Sequence, residues 1–185
     1  MKKIFYRALI GEMGNLTPNE AIMYSFLVSK SISCLGSDIF DSNGKLNVYD
    51  LHEYLKDNNV RINLAEFTYK QLSKELNISF QSAINGIKTL NDSGFIIKSK
   101  IFAPPELVEK GYFEIPEISN LKGLSLIFYS FLKDRANIHG GYIDAYRYKI
   151  AELFHVSEPM IKKLLSNLYK LNLIERLENG KLKIN

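Results

Sequence analysis

A mainly helical α+β fold with small β-hairpins, made of one module used twice, follows from three features of the sequence. The first is the stretch Phe67–Ile96, FTYKQLSKELNISFQSAINGIKTLNDSGFI, where Leu72, Leu76, Ile84, Ile87 and Leu90 recur at helical spacing. Asn77-Ile78-Ser79 interrupts that spacing, and Ser79 is suited to accept from the free N–H groups that open a second helix. Asn91-Asp92-Ser93-Gly94 stops this helix, with Gly94 able to take a left-handed cap, and Phe95-Ile96-Ile97 begins a strand. Two helices at a sharp turn running into a strand is the order of a winged helix-turn-helix. The second feature is the same grammar 78 residues later, in Tyr146–Ile174. There Ile150 answers Leu72, Phe154 answers Leu76, Val156 answers Ile78 and Ser157 answers Ser79. Ile161, Leu165, Leu168 and Asn172 likewise answer Ala83, Ile87, Leu90 and Gly94. The third is a shorter echo, IMYSFL at 22–27 and IFYSFL at 127–132, at an offset of 105, so the first copy carries about 27 additional residues. The predicted architecture is therefore a tandem of winged helix-turn-helix domains, residues 1–117 and 118–185, with an insertion near 38–64 in the first.

Taken in order, Ile4-Phe5-Tyr6 reads as a short strand. Thr17-Pro18-Asn19-Glu20 opens a helix by N-cap, proline at the first helical position and capping-box glutamate. It runs to about Ser31 and buries Ile22, Met23, Phe26 and Leu27. Asp38–Leu46 has two readings. A calcium loop fails because Ile39 would take the first ligand position and Asp50 that of a bidentate glutamate. A hairpin turning at Asn43-Gly44 fits better. A short helix over Asp50–Asn58, with Leu51 and Leu55 inward, and a strand over Val60–Leu64 follow. The first wing is expected to run from Phe95 through Ile101, turn over Ala103-Pro104-Pro105-Glu106 and return near Tyr112–Ile115, with a helical turn at Leu107–Lys110. Pro116–Asn120 is the linker.

The second module opens with a helix over Leu121–Ala136 and a loop at Gly140-Gly141. A strand at Tyr142-Ile143 follows, and Asp144 is placed to cap the next helix. Ser157-Glu158-Pro159 starts the second helix of the pair. Leu173–Glu178 pairs with Lys181–Ile184 across Asn179-Gly180, a type I′ signal.

The succession LTPNEAIMYSFLVSKSI, FDSNGKLNVY and a helix-turn-helix ending in a short turn and a strand resembles the N-terminal domain of plasmid replication initiators of the RepA type. The resemblance spans about residues 5–100 and implies a winged helix that binds a replication origin. The chain departs from that family in a longer Asp50–Glu66 segment and in lacking a glycine-tryptophan pair, there being no Trp.

The charge distribution agrees with a polyanionic partner. The net charge of +4 divides as 0 over residues 1–63, +2 over 64–103, −1 over 104–143 and +3 over 144–185, so the excess lies in the two helix-turn-helix regions. One cysteine, Cys34, permits no internal disulfide. With no secretory signal and no run of roughly 20 apolar residues, the expected location is cytoplasmic, without a membrane.

Candidate base readers in the first copy are Gln81, Ser82, Asn85, Lys88 and Thr89, on the side away from the Ala83/Ile87/Leu90 stripe. Amide side chains pair bidentately with adenine, and lysine reaches guanine acceptors or phosphate. In the second copy the matching surface carries Pro159, Met160, Lys162, Lys163, Ser166, Asn167 and Lys170, with more charge and fewer amides, which suits backbone contact over base discrimination. Lys98 and Lys100 on the first wing, and Lys181 and Lys183 on the second, are candidate phosphate anchors. The partners expected are double-stranded DNA, proteins of replication or transcription, and a second copy of the chain in a homodimer. The function expected is replication initiation on a plasmid or mobile element, the alternatives being a transcription regulator or a protein-interaction module.

No enzyme, cofactor or metal is expected. His52, His139 and His155 have no ligand spacing, Cys34 has no local histidine, and there is no phosphate-binding glycine loop. The eleven tyrosines and eleven phenylalanines raise single-strand stacking as a further use. Tyr24, Phe26, Phe128, Phe131 and Phe154 sit at core spacing, whereas Tyr146 and Tyr148 do not resolve either way.

Overall fold

The computed structural model describes residues 3–10, 16–36, 39, 40, 46–118, 120–144 and 146–185. They form an α+β fold of helices and small antiparallel sheets. The chain divides into two compact units, one of Ile4–Leu9 and Met13–Tyr112, the other of Met1–Lys3, Ile10–Glu12 and Phe113–Asn185.

The first unit takes most of β1 (Lys3–Tyr6), then α1 (Pro18–Ser33), α2 (Val48–Asp57) and β2 (Arg61–Asn63). It continues with α3 (Tyr69–Leu76), α4 (Phe80–Asp92), β3 (Ile96–Ile97), β4 (Lys100–Phe102) and α5 (Pro105–Glu109). Helix α1 starts as the sequence reading expects. Thr17 Oγ1 accepts from Glu20 N, and the Glu20 carboxylate accepts from Thr17 N at 2.7 Å. It is buried on most sides, as befits a central helix. Strands β2, β4 and β3 form a sheet in the order β2-β4-β3, with Ile62 opposite Ile101 and Ile101 opposite Ile96. These isoleucines, Leu72, Ala83 and Leu90 make the floor of the core. Helix α4 also buries Gly86, against which the flexible end of the Met23 side chain from α1 packs: a Cβ there would come within 2.5 Å of Met23 Cε.

The expected hairpin turn at Asn43-Gly44 lies outside the described residues, although Phe40 and Leu46 form an antiparallel bridge. The helix expected over Asp50–Asn58 is α2, with Leu51 and Leu55 buried and Asn47 capping it through Tyr49 N and Asp50 N. α2 packs against α5, which buries Pro105, Leu107 and Val108.

The second unit takes most of β5 (Tyr112–Ile115), then α6 (Gly123–Ile138), β6 (Tyr142–Ile143), α7 (Arg147–Phe154), α8 (Glu158–Lys170), β7 (Ile174–Arg176) and β8 (Leu182–Ile184). Its sheet order is β6-β8-β7, so helix, strand, helix, helix and hairpin recur with the third strand in the middle. The offset of 78 holds at both ends of both helices: α7 and α8 begin and end 78 residues after α3 and α4. The joints repeat as well. Asn77 (φ 52°) and His155 (φ 49°) are left-handed caps between the paired helices, and Gly94 (φ 75°) and Asn172 (φ 55°) follow the second helix of each pair.

The echo at offset 105 has a physical basis. Tyr24 Oη donates to Phe102 O at 2.5 Å, and Tyr129 Oη donates to Asn185 O at 2.7 Å, so each tyrosine ties the first helix of its copy to the end of the central strand. Burial, with a lesser push from Tyr6, drives the Tyr24 phenol well above its ordinary value, and burial raises that of Tyr129; both donate as neutral hydroxyls.

Four local expectations are corrected. The first wing does not run to Ile101 and return at Tyr112–Ile115. It turns at Lys98-Ser99, with Ile97 opposite Lys100, and Tyr112–Ile115 is not a strand of this sheet, whose order is β2-β4-β3. The second hairpin turn is not type I′. Of its loop residues only Gly180 has a positive φ, Gly180 N donates to Leu177 O and Leu177 N to Lys181 O, which is a type I turn closed by a glycine bulge. Asp144 does not cap α7, whose N-cap is Tyr146. Ser157 stands at the N-cap of α8, but its hydroxyl makes no cap bond, because Pro159 has no N–H to offer and Met160 N donates to Ser157 O instead.

Candidate nucleic-acid interface

The second helix of each pair turns one face to the core and the other to solvent. Ala83, Gly86, Ile87 and Leu90 of α4 are buried, as are Ile161, Leu164, Leu165 and Leu168 of α8. Gln81, Ser82, Asn85 and Lys88 are exposed on α4, and Thr89 is half-buried. Four of these five residues are already engaged. Gln81 Nε2 donates to Asn85 Oδ1 at 2.9 Å, Thr89 Oγ1 donates to Asn85 O at 3.1 Å, and Ser82 shares the Ser79 cap through its amide and hydroxyl. The Gln81–Asn85 bond holds two amides side by side with a donor and an acceptor still free on each.

On α8, Lys162, Lys163, Ser166, Asn167 and Lys170 are all exposed. Lys163, Ser166, Asn167 and Lys170 share one stripe and line an open groove of about 570 Å³ with Met160, Leu164 and the Lys122–Ser125 start of α6. At offset 78 that stripe answers Asn85, Lys88, Thr89 and Asp92 on α4. One copy thus carries two lysines and no acid on its stripe, the other one lysine and one aspartate. This contrast suits α8 to phosphates and α4 to base edges.

The wings differ in the opposite sense. Lys98 and Lys100 are exposed, and Lys98 sits at the tip with φ 48°, followed by Ser99 at φ 61°. Two consecutive left-handed residues without glycine are strained, each by roughly 1–2 kcal/mol. Asn-Gly is the pair that relaxes such a turn. Replacing Lys98-Ser99 by Asn-Gly is therefore expected to stabilise the chain by about 1–2 kcal/mol, read as a higher urea midpoint. On the second wing Lys181 and Lys183 are exposed, but Lys183 Nζ lies 3.6 Å from Glu175 Oε2 across the strand pair, so half of that wing's charge is offset locally.

Sequence reasoning passed over Phe80 and Tyr69. Phe80, at the first turn of α4, is 54% exposed and meets the exposed Tyr69 ring edge-on at 6.3 Å. The repeat contained the signal. True core positions match apolar to apolar at offset 78, whereas Phe80 matches Glu158 and Tyr69 matches Arg147. An apolar ring beside the candidate base readers is of the kind that contacts a thymine methyl.

Among the described residues, no cluster of three or more His, Cys, Asp or Glu is placed to hold a metal, and no helix is long and apolar enough to cross a membrane. Cys34 is an exposed free thiol at the end of α1. Compared with known proteins, the chain matches no family model, no curated protein sequence and no solved structure.

Proposed function

We propose that this chain binds duplex DNA through two winged-helix modules, with α4 and α8 entering grooves and the two hairpins lying against the backbone. The observation that carries the reading is the recurrence, in both units, of one element order and one sheet order, each with a second helix that keeps a polar face in solvent. That is the arrangement in which a recognition helix and a wing work together. Replication initiation on a plasmid or other mobile element is the biological role we propose, and it rests on the resemblance of about residues 5–100 alone. A transcription regulator would use the same contacts.

Selection from a randomised duplex pool tests the assignment of α4. The wild-type chain should enrich one motif. Asn85→Ala with Lys88→Ala should lose preference at the positions those side chains read, at about 1–3 kcal/mol for each bidentate contact removed. Both residues are exposed, so the fold should be unchanged. A variant that enriches the same motif with the same affinity would show that α4 is not the reader.

A further inference from the structure

We propose that the start of α7 is a second nucleic-acid site, one that takes unpaired bases of a single strand between Tyr146, Tyr148 and the cations beside them. Both tyrosine rings are 55% exposed, with centroids 6.2 Å apart and planes tilted by 58°. Lys149 Nζ lies 5.2 Å from the Tyr146 centroid and 5.9 Å from that of Tyr148, and Arg147, also exposed, stands between them in sequence. More of each residue is open to solvent than is covered, and a cation is already held over both rings.

The first unit shows what this stretch looks like when it serves only to start a helix. At the twin positions Thr68 caps α3 by accepting from Gln71 N, and the Gln71 side chain accepts from Thr68 N in return. In the second unit Tyr146 replaces the capping threonine and makes no cap bond, Lys149 replaces the glutamine, and Tyr148 replaces Lys70. A local rule of helix stability is given up for an exposed pair of rings with a lysine over them, which is the pattern of a site kept for a ligand.

The chemistry names the ligand. Exposed rings interleaved with lysine and arginine fit successive bases stacked face-on while the cations take the phosphates between them. A duplex hides its base faces in the stack and gives such rings nothing to bind, so the occupant is single-stranded. Stacking tolerates any base, and the site should show little sequence preference. It does not depend on the duplex-binding reading, since it uses α7 and not α8.

The full chain is titrated with an end-labelled oligothymidine and, in parallel, with a duplex of equal length, both read by fluorescence anisotropy. The wild type should bind the single strand. Tyr146→Ala with Tyr148→Ala should weaken that binding by roughly 5- to 150-fold for each ring that stacks, with duplex affinity unchanged. Tyr146→Phe with Tyr148→Phe should retain it, because stacking needs the ring and not the hydroxyl. Failure of the wild type to bind oligothymidine, an alanine variant that binds it normally, or equal losses on both ligands would each overturn the proposal. Photo-cross-linking of the wild-type chain to an iodouracil-substituted oligomer is the second readout: adducts on Tyr146 or Tyr148 support the site, and adducts confined elsewhere refute it.

Discussion

Replacing Lys162, Lys163 and Lys170 together by alanine is expected to lower duplex affinity on the order of 10²- to 10³-fold near ~0.1 M salt. Each lysine that neutralises a phosphate releases about 0.9 of a counterion, worth roughly eightfold in affinity at that salt concentration. Three such contacts multiply, and the slope of log affinity against log salt should flatten by about 2.7. All three side chains are exposed and, among the described residues, form no ion pair, so the substitution should leave stability within about 0.5 kcal/mol of the parent. Lys88→Ala on α4 should flatten the slope by only about one unit. An unchanged slope in the triple variant would remove α8 from the backbone contact.

Leu90→Ala should cost about 2–5 kcal/mol of stability, the range for a buried leucine whose cavity collapses only in part. Leu90 is fully buried beneath the α4 face, and its twin Leu168 is fully buried beneath α8. The urea midpoint should fall with little change in its slope, the signature of lost packing in an otherwise intact fold. A loss below about 1 kcal/mol would mean that the space closes around the alanine and that α4 is less tightly seated than its burial indicates.

What could be read ahead of the structure was local. The limits of α4 and α8 came out of apolar spacing, of Ser79 and Ser157 as N-cap positions, and of Gly94 and Asn172 as left-handed stops, because each acts within one turn of its own position. The matched tyrosines Tyr24 and Tyr129 were visible as an echo, but their bonds to Phe102 O and Asn185 O were not, since those join residues 78 and 56 apart. The packing of α2 on α5 was hidden for the same reason. The first wing was misread because Lys98-Ser99 carries no turn preference; the two strands impose a left-handed geometry on residues that would not choose it. On the candidate face, residue types were legible and their mutual bonds were not. Nothing in the string says that Gln81 and Asn85 hold each other, or that Glu175 takes up Lys183. The exposed ring of Phe80 was obscured by a sound general habit, that aromatic residues pack inward, whereas Tyr146 and Tyr148, which lack core spacing, were left open.

Whether these cationic faces grip a phosphate backbone is decided by how binding responds to salt. Titrating the full chain into duplex DNA across a range of potassium chloride concentrations should give log affinity falling linearly with log salt. The slope should amount to several contacts at about −0.9 each. No binding at low salt, or an affinity indifferent to salt, would mean that the lysines of α8 and the two wings face something other than a phosphate backbone.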